Sequence, residues 1–455
     1  MRPLEALLVG ALLVSQLLRW IKPRNRQFTA TTLAMLGILL LLHLFFDGPR
    51  WEMIPAYAMT LAAGRVFSAD LRRVSGAKAG ESSRWIAIPS TGRRVMTGTL
   101  LAFVAIAAVI IPHWLFPRIV LPNPDGLYHV GRLDVAWLDS ARQLPTGAAR
   151  PLSVSAWYPA ESPDGPVLRY HPRPGALGAS LAAGTPLPGF AFRNLTAAPT
   201  HSTASPRFSI REGRSPLVLV SHDVGSSRVE GTALFEQLAS HGYVVVSVEH
   251  ALSAAGAVMP DGSPLDRAPE DASTEIEQRV NDLRFVLDRI NRLPIRESVD
   301  TLSGHVRLDR VAILGKGLGA SAAAELAALD DRVTAAVGIA PGTTGATASR
   351  GVRRPLLIFT VEDPGASLDG VLRYGGTEVR LEGATSRSLN DVALVGAPVV
   401  RLLGIERGDD PYDVHAAVAA LTLRFLDQYL KDRREETEVD LPARVRLRVI
   451  PHQAR

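Results

Sequence analysis

The stretch Val311-Ala-Ile-Leu-Gly-Lys-Gly-Leu-Gly-Ala-Ser-Ala-Ala-Ala-Glu-Leu-Ala-Ala-Leu329 decides the fold of this chain. The run Val311–Leu314 is typical of a buried strand, and the alanine-rich run Ala320–Leu329 predicts a buried helix. Between them, Gly315–Gly319 has the glycine spacing of a nucleophile elbow, G-x-S-x-G, whose sharp turn needs glycine. The central position is Gly317, which has no side chain for nucleophilic attack.

Outward from this stretch, apolar runs typical of strands alternate with amphipathic helices. This alternation predicts a mostly parallel sheet with helices on both faces, whose active site lies at the carboxyl ends of the strands. An antiparallel pair precedes it, and the segment Pro159–Ser215 between them is predicted to be either a cap over a cleft or a flexible surface insertion. The further predicted strands are Leu127–Trp137, Leu152–Tyr158, Leu217–Ser221, Tyr243–Val248, Val333–Ile339 and Pro355–Thr360, and the helices are Gly231–His241, Thr274–Asn291 and Tyr412–Leu430.

The N-terminal quarter of the chain is far more apolar than the rest. Its four apolar segments are Leu4–Leu18, Phe28–Phe46, Ile54–Phe67 and Met96–Phe116. A spanning helix needs about 20 mostly apolar residues, so the second and fourth qualify, whereas the first and third are short enough to be interfacial helices. We predict a membrane region of about four spans over residues 1–122, followed by one domain over residues 123–455 that contains the insertion 159–215.

Charge and composition limit the compartments and the classes of ligand that we expect for this chain. The net charge is +5, and much of the basic excess lies in short connections, especially residues 19–26 and 65–95, which the positive-inside rule places in the cytoplasm. We therefore expect a multi-pass membrane protein with an extracytoplasmic C-terminal domain that binds no nucleic acid. The chain has no cysteine, which excludes thiolate metal sites, and no His/Asp/Glu cluster has metal-ligand spacing.

Several sequence blocks share an order and spacing with a known family. They are Tyr128–Gly131, Ser155–Ala160, Val220–Gly225, Ala239–Val244, Val248–His250, Arg279–Asp288 and, in the membrane region, His43–Tyr57. By these blocks the chain resembles bacterial relatives of platelet-activating factor acetylhydrolase, within the α/β-hydrolase superfamily. The resemblance implies that the membrane is the bacterial inner membrane.

The resemblance implies an esterase with a Ser-His-Asp triad, yet the triad positions lack those residues. The nucleophile position is Gly317, the acid position falls near Gly342, and the histidine position is nearest Ser386. The oxyanion loop, usually histidine-glycine, is His222-Asp223. The elbow residues that flank Gly317 and line the predicted cleft are Lys316, where the family usually has histidine, and Leu318.

Joint loss of the three residues predicts a protein that binds a lipid, an acyl ligand or a protein partner without cleaving it. Two alternatives stay open: an active ester hydrolase that uses displaced residues, and a structural or accessory membrane protein. Among possible substitutes, Ser321 is predicted to pack within its helix, Ser226 and Ser227 to cap the next helix, and Lys316 to be an ion-paired residue, an amine nucleophile or an anion binder. We expect no cofactor, because the dinucleotide-like spacing Gly315-x-Gly317-x-x-Ala320 lacks an acid after the following strand.

Overall fold

In the computed structural model, the chain forms two compact units, residues 1–117 and 118–455. The structure describes residues 3–21, 26–47, 53–76, 120–182, 196–204, 206–211, 213–257, 265, 268, 270–292, 304–341, 345–361, 368–386, 388–395, 410–433, 441–442 and 445–454. Each unit has its own apolar core.

The described residues of the first unit form three helices, α1 (Pro3–Ile21), α2 (Arg26–Leu42, followed by a π-turn at His43–Asp47) and α3 (Ile54–Gly76). They pack around buried apolar side chains contributed by all three helices. Other large apolar residues of these segments are exposed. Phe45 and Phe46, for example, are 82% and 69% exposed. Exposed apolar surface of this kind is typical of a membrane or protein interaction site.

The prediction of about four spans is not supported. Within the described residues, Gln27–Phe46 is the one helix that is long and apolar enough to cross a membrane, and a signal sequence near the N-terminus would satisfy the same criteria of length and composition. Helix α3 runs beyond its apolar half into a stretch that contains Asp70, Arg72 and Arg73, which lowers its mean hydropathy. The fourth predicted span, Met96–Phe116, lies outside the described residues, as does most of the connection 65–95.

The second unit is built on an eleven-stranded sheet in the order β11-β10-β9-β8-β7-β5-β6-β2-β1-β4-β3. The six strands from β5 to β10 are parallel, while β1, β2 and β11 join through antiparallel pairs. The strands are β1 (His129–Gln143), β2 (Ala149–Ala160), β3 (Val167–Arg169), β4 (Pro199–Ala204), β5 (Ser215–Ser221), β6 (Val244–Val248), β7 (Val306–Lys316), β8 (Val333–Ile339), β9 (Leu356–Val361), β10 (Gly376–Leu381) and β11 (Leu447–His452).

Helices cover both faces of this sheet, because side chains alternate along each buried strand. On β5, Leu217 and Leu219 join one apolar cluster, and Val218 and Val220 join the other. The helices are α4 (Pro174–Ala182), α5 (Thr232–Ser240), α6 (Ala272–Arg292), α7 (Leu318–Leu329), α8 (Thr347–Arg350) and α9 (Pro411–Leu430). The predicted α/β architecture is therefore confirmed.

The insertion 159–215 extends the sheet in its described part. Strand β4 pairs in parallel with β1, and β3 pairs antiparallel to β4, so the segment forms the sheet edge. Residues 183–195 of the insertion lie outside the described residues. One of its side chains, Tyr170, donates a hydrogen bond to Asp391 at 3.0 Å, which ties the insertion to the end of the sheet that carries the candidate site.

Candidate active site

The strand-turn-helix at the centre of the chain has the geometry of a nucleophile elbow. Strand β7 ends at Lys316, Gly317 has φ 52° and ψ −120°, and helix α7 begins at Leu318. A positive φ of this kind favours glycine. The flanking glycines have a different reason, because a Cβ at Gly315 or Gly319 would overlap backbone carbonyl groups of the elbow and of β5.

The carboxylate of Asp223 occupies the place of the missing nucleophile. A Cβ built on Gly317 would overlap all three atoms of the Asp223 carboxyl group. Asp223 Oδ1 accepts hydrogen bonds from the backbone N–H of Val224 at 2.8 Å and of Leu318 at 3.0 Å. In an elbow enzyme, the N–H after the nucleophile and an N–H from this loop form the oxyanion hole. One oxygen of Asp223 therefore lies where these two donors would hold the substrate oxygen in such an enzyme.

His222 holds the loop that presents Asp223 and is not available as a base. Its Nδ1 donates to the carbonyl oxygen of Asp223 at 2.7 Å, and its Nε2 accepts from the backbone N–H of His250 at 3.2 Å. Burial, together with the nearby His250 and the Arg279 guanidinium, lowers the pKa of His222 well below its usual range. Arg279 also donates to the His222 carbonyl at 2.9 Å, which fixes the loop from the α6 side.

The other two triad positions give no replacement within the described residues. Ser386 lies exposed in the turns after β10, and Gly342 lies outside the described residues. Asp391, which the sequence analysis did not select, is fully buried near the predicted histidine position. Its Oδ2 accepts from the N–H of Gly231 at 3.0 Å, so it binds the start of helix α5.

This contact from Asp391 corrects the predicted cap of helix α5. Ser226 and Ser227 were expected to cap it, but the N-cap is Gly231, whose conformation has a φ of 121° and no side-chain cap of its own. The cap comes instead from a residue that is 160 positions away in the sequence. Ser226 Oγ has no hydrogen-bond partner in the described structure. Ser321 is buried within helix α7, as its position predicted.

A second group has the connectivity of a catalytic triad, and the sequence analysis missed it. Ser221 Oγ lies 2.9 Å from His250 Nε2, and His250 Nδ1 lies 3.0 Å from Asp282 Oδ2. Asp282 is also bound bidentately by the Arg150 guanidinium, at 2.8 and 2.9 Å. Ser221, His250 and Asp282 are each at most 1% exposed. The sequence contained two indications of this group: His250 follows the end of strand β6, and Asp282 lies on the buried side of helix α6.

The buried contacts among Ser221, His250 and Asp282 serve to stabilise the fold. Burial is also the largest influence on His250, whose pKa is lowered to about 4 with a smaller contribution from the Arg279 charge. The pKa of Asp282 is lowered by its bonds to His250 and Arg150, which outweigh burial. Ser221 Oγ points to the face of the sheet that α6 covers, and its side chain is fully buried, so no substrate reaches it in this conformation.

Lys316 lies on the other face of the sheet, in a cavity below the elbow. Its Nζ is 3.9 Å from Glu230 Oε1 and has no hydrogen-bond partner in the described structure. Burial is the main cause of two shifts: the pKa of Lys316 is lowered and that of Glu230 is raised. Of the roles predicted for Lys316, ion pairing is the one with a visible partner, at a distance longer than a hydrogen bond.

Two further kinds of site concern the part of the chain that the structure describes: a metal-binding cluster and the dinucleotide-like spacing at the elbow. No group of three or more His, Cys, Asp or Glu residues in the described ranges could hold a metal ion. The predicted dinucleotide spacing belongs to the elbow, where Asp223 fills the space beside Gly317. The backbone donors of the elbow are occupied by Asp223, and a Ser-His pair at the elbow is missing from the residues that the structure describes.

The fold of the second unit agrees with the folds of known proteins that are similar to this chain. The family model of platelet-activating factor acetylhydrolase, isoform II, matches residues 190–279, a range that holds the oxyanion loop but not the elbow at 315–319. A solved structure, the ferulic acid esterase from Streptomyces cinnamoneus, is 23% identical over 71% of this chain and 96% of its own, with a TM-score of 0.59. The second unit thus has the α/β-hydrolase fold that esterases use.

Proposed function

We propose that this chain is a non-catalytic protein with the α/β-hydrolase fold, which binds a lipid, an acyl ligand or a protein partner through the former cleft. The single observation that supports this most strongly is Asp223, whose carboxylate fills both the nucleophile space and the oxyanion hole. A hydrolase needs that hole empty, because it stabilises the negative charge that develops on the substrate oxygen. Here the charge is already supplied by the protein.

The membrane part of the proposal is supported by the first unit. The candidate span Gln27–Phe46 and the exposed Phe45 and Phe46 favour membrane attachment. We propose that the chain is held in a bacterial inner membrane with the second unit on the extracytoplasmic side. Attachment to a membrane is the reason to favour lipid and acyl ligands.

The second candidate function is ester hydrolysis by Ser221. The observation that favours it is the chain of contacts Ser221, His250 and Asp282, at 2.9 and 3.0 Å. Hydrolysis would require a movement that exposes Ser221 Oγ, because that side chain is fully buried. It would also require an oxyanion hole near Ser221, since the one at the elbow binds Asp223.

One experiment separates the two functions. The full chain in detergent is incubated with a fluorophosphonate probe and with short p-nitrophenyl esters, beside the variants Ser221→Ala and Gly317→Ser. The proposal expects no labelled serine and no turnover in any of the three, because Gly317→Ser supplies a nucleophile without a base. Labelling or turnover that Ser221→Ala abolishes would establish hydrolysis by Ser221. Turnover by Gly317→Ser alone would reveal a histidine base and overturn the proposal.

A further inference from the structure

A small cavity lies under the elbow, on the face of the sheet that α5 and α9 cover. It measures about 30 Å³, which is room for about two water molecules. Most of its wall is apolar. The lining residues that matter here are Lys316, Glu230, Ser226, His415, Leu234 and Phe235.

The amine of Lys316 is unusual because it is buried without a hydrogen bond. Its side chain is 12% exposed, and neither its Nζ nor Ser226 Oγ has a hydrogen-bond partner in the described structure. A buried ammonium group is costly unless it is paired and hydrogen-bonded. Both groups face one cavity, so a ligand with polar atoms that entered it would find two hydrogen-bonding groups.

Lysine is rare in this chain, so its presence at position 316 is informative. Only four of the 50 basic residues are lysines, at positions 22, 78, 316 and 431. Arginine, which this chain uses almost everywhere else, stays charged in proteins, whereas a buried lysine can become a neutral amine and act as a nucleophile. Burial lowers the pKa of Lys316 and raises that of Glu230, so both shifts favour the neutral amine and the protonated carboxyl group.

We propose that Lys316 is a nucleophile that forms a reversible imine with a small aldehyde or ketone, with Glu230 as the proton carrier. The Nζ lone pair attacks the carbonyl carbon while the protonated Glu230 carboxyl group gives its proton to the carbonyl oxygen, which becomes a hydroxyl. The Glu230 carboxylate then takes one of the two nitrogen protons and returns it to the hydroxyl, which leaves as water as the nitrogen lone pair forms the C=N bond. The imine keeps the second nitrogen proton and is paired with the Glu230 carboxylate. This activity goes beyond the proposed binding function and does not depend on it.

The size of the cavity limits the carbonyl compound. Space for about two water molecules suits a molecule of three or four non-hydrogen atoms, with its apolar end towards Leu234 and Phe235. The side chain of Glu230 is 17% exposed and that of Lys316 is 12% exposed, so solvent reaches this end of the cavity. Acetaldehyde is therefore a suitable probe.

The test is reductive trapping on the full chain in detergent at pH 7. Acetaldehyde and sodium cyanoborohydride convert each imine into a stable ethylamine, and peptide mass spectrometry gives the rate at each lysine. Lys431 is the internal control, because its Nζ donates to the His241 carbonyl oxygen at 2.6 Å and lies 3.3 Å from Asp427 Oδ1. We expect Lys316 to be ethylated at least about tenfold faster than Lys431, in keeping with general acid-base assistance.

Two variants check the roles of the cavity residues. Glu230→Gln should slow ethylation of Lys316 by about tenfold or more, since a positioned proton carrier contributes at least this much. Lys316→Arg should abolish the fast site while the rate at Lys431 stays unchanged, which shows that the fold is intact. Ethylation of Lys316 no faster than that of Lys431 in the wild-type chain would overturn the proposal without any variant, and an unchanged rate in Glu230→Gln would overturn the role of Glu230.

Discussion

The Asp223 carboxylate and Gly317 share one space: a side chain at position 317 would overlap the carboxyl group that Asp223 places against the start of α7. The two residues therefore depend on each other. With the Asp223 side chain in this position, the elbow has no room for a side chain at position 317. The two positions meet in space although they are 94 residues apart in the sequence.

This relationship predicts strong coupling between the two positions. Gly317→Ser should destabilise the chain by more than the roughly 1–3 kcal/mol of a strained φ, because it must also displace Asp223. Adding Asp223→Gly should recover about 1–3 kcal/mol, the range found for residues in contact. The measurement is a double-mutant cycle of urea-induced unfolding. Gly147→Ser is the matched control, since Gly147 has φ 80° and open space around it; a cost equal to that of Gly317→Ser would contradict the overlap.

The internal anion also predicts a gain of binding when it is removed. Asp223→Gly frees the N–H groups of Val224 and Leu318, which can then donate to a carboxylate ligand. Because a hydrogen bond to a charged group contributes about 1.5–3 kcal/mol, the Kd for octanoate should fall by about tenfold or more. Isothermal titration calorimetry of the full chain in detergent measures it.

Asp223→Asn is the control for this gain, because an amide fills the same space without the charge. We expect it to bind octanoate no more tightly than the wild-type chain does. If both variants gained affinity equally, charge repulsion rather than occupation of the hole would explain the effect. If neither gained, the former oxyanion hole would not be a ligand site.

The sequence alone predicted the elbow, but it did not predict that the Asp223 side chain lies against Gly317. The run from Val311 to Leu329 predicted strand, turn and helix because local periodicity and glycine spacing determine them. The overlap of Asp223 with Gly317 depends on how two loops meet at the end of the sheet, which neither loop reveals alone. The unpartnered amine of Lys316 likewise depends on burial by residues from five different elements.

The missed elements share a physical cause. Strand β10 (Gly376–Leu381) is short and carries Glu378 and Arg380, so it lacks the apolar run that indicates a buried strand. The structure accommodates Glu378 because Thr360 and Arg380 both donate hydrogen bonds to it. The edge strand β11 is mostly exposed and has no strong periodicity. Tertiary pairing, rather than local preference, forms both strands.

The buried chain of contacts from Ser221 to Asp282 predicts a loss of stability rather than of activity. Asp282→Asn leaves the buried Arg150 guanidinium without its charge partner, which should cost about 3–5 kcal/mol. Urea-induced unfolding of the full chain measures this cost. Asp331→Asn is the control, since Asp331 is fully exposed and pairs with Arg354 on the surface; its effect should stay within about 0.5 kcal/mol. A cost as small as that in Asp282→Asn would show that the network is not structural.

The neutral, buried His250 predicts a specific dependence of stability on pH. Burial lowers its pKa to about 4, whereas an unfolded histidine titrates near pH 6.5. Between these values the unfolded chain binds the extra proton, so stability falls as the pH is lowered through this window. His250 alone should therefore cost about 2 kcal/mol between pH 6.5 and pH 5, at about 1.4 kcal/mol per pH unit.

The quantity to measure is the difference between the wild-type chain and His250→Asn. Glu230, Glu236 and Glu249 have raised pKa values, mainly through loss of solvent, and they act in the opposite direction because the folded state protonates them first as the pH falls. Their contribution is common to both proteins and cancels in the difference. The wild-type chain should lose about 2 kcal/mol more than His250→Asn between pH 6.5 and pH 5. The exposed His129→Asn should follow the wild-type curve, and an equal slope in His250→Asn would show that His250 is protonated in the folded chain.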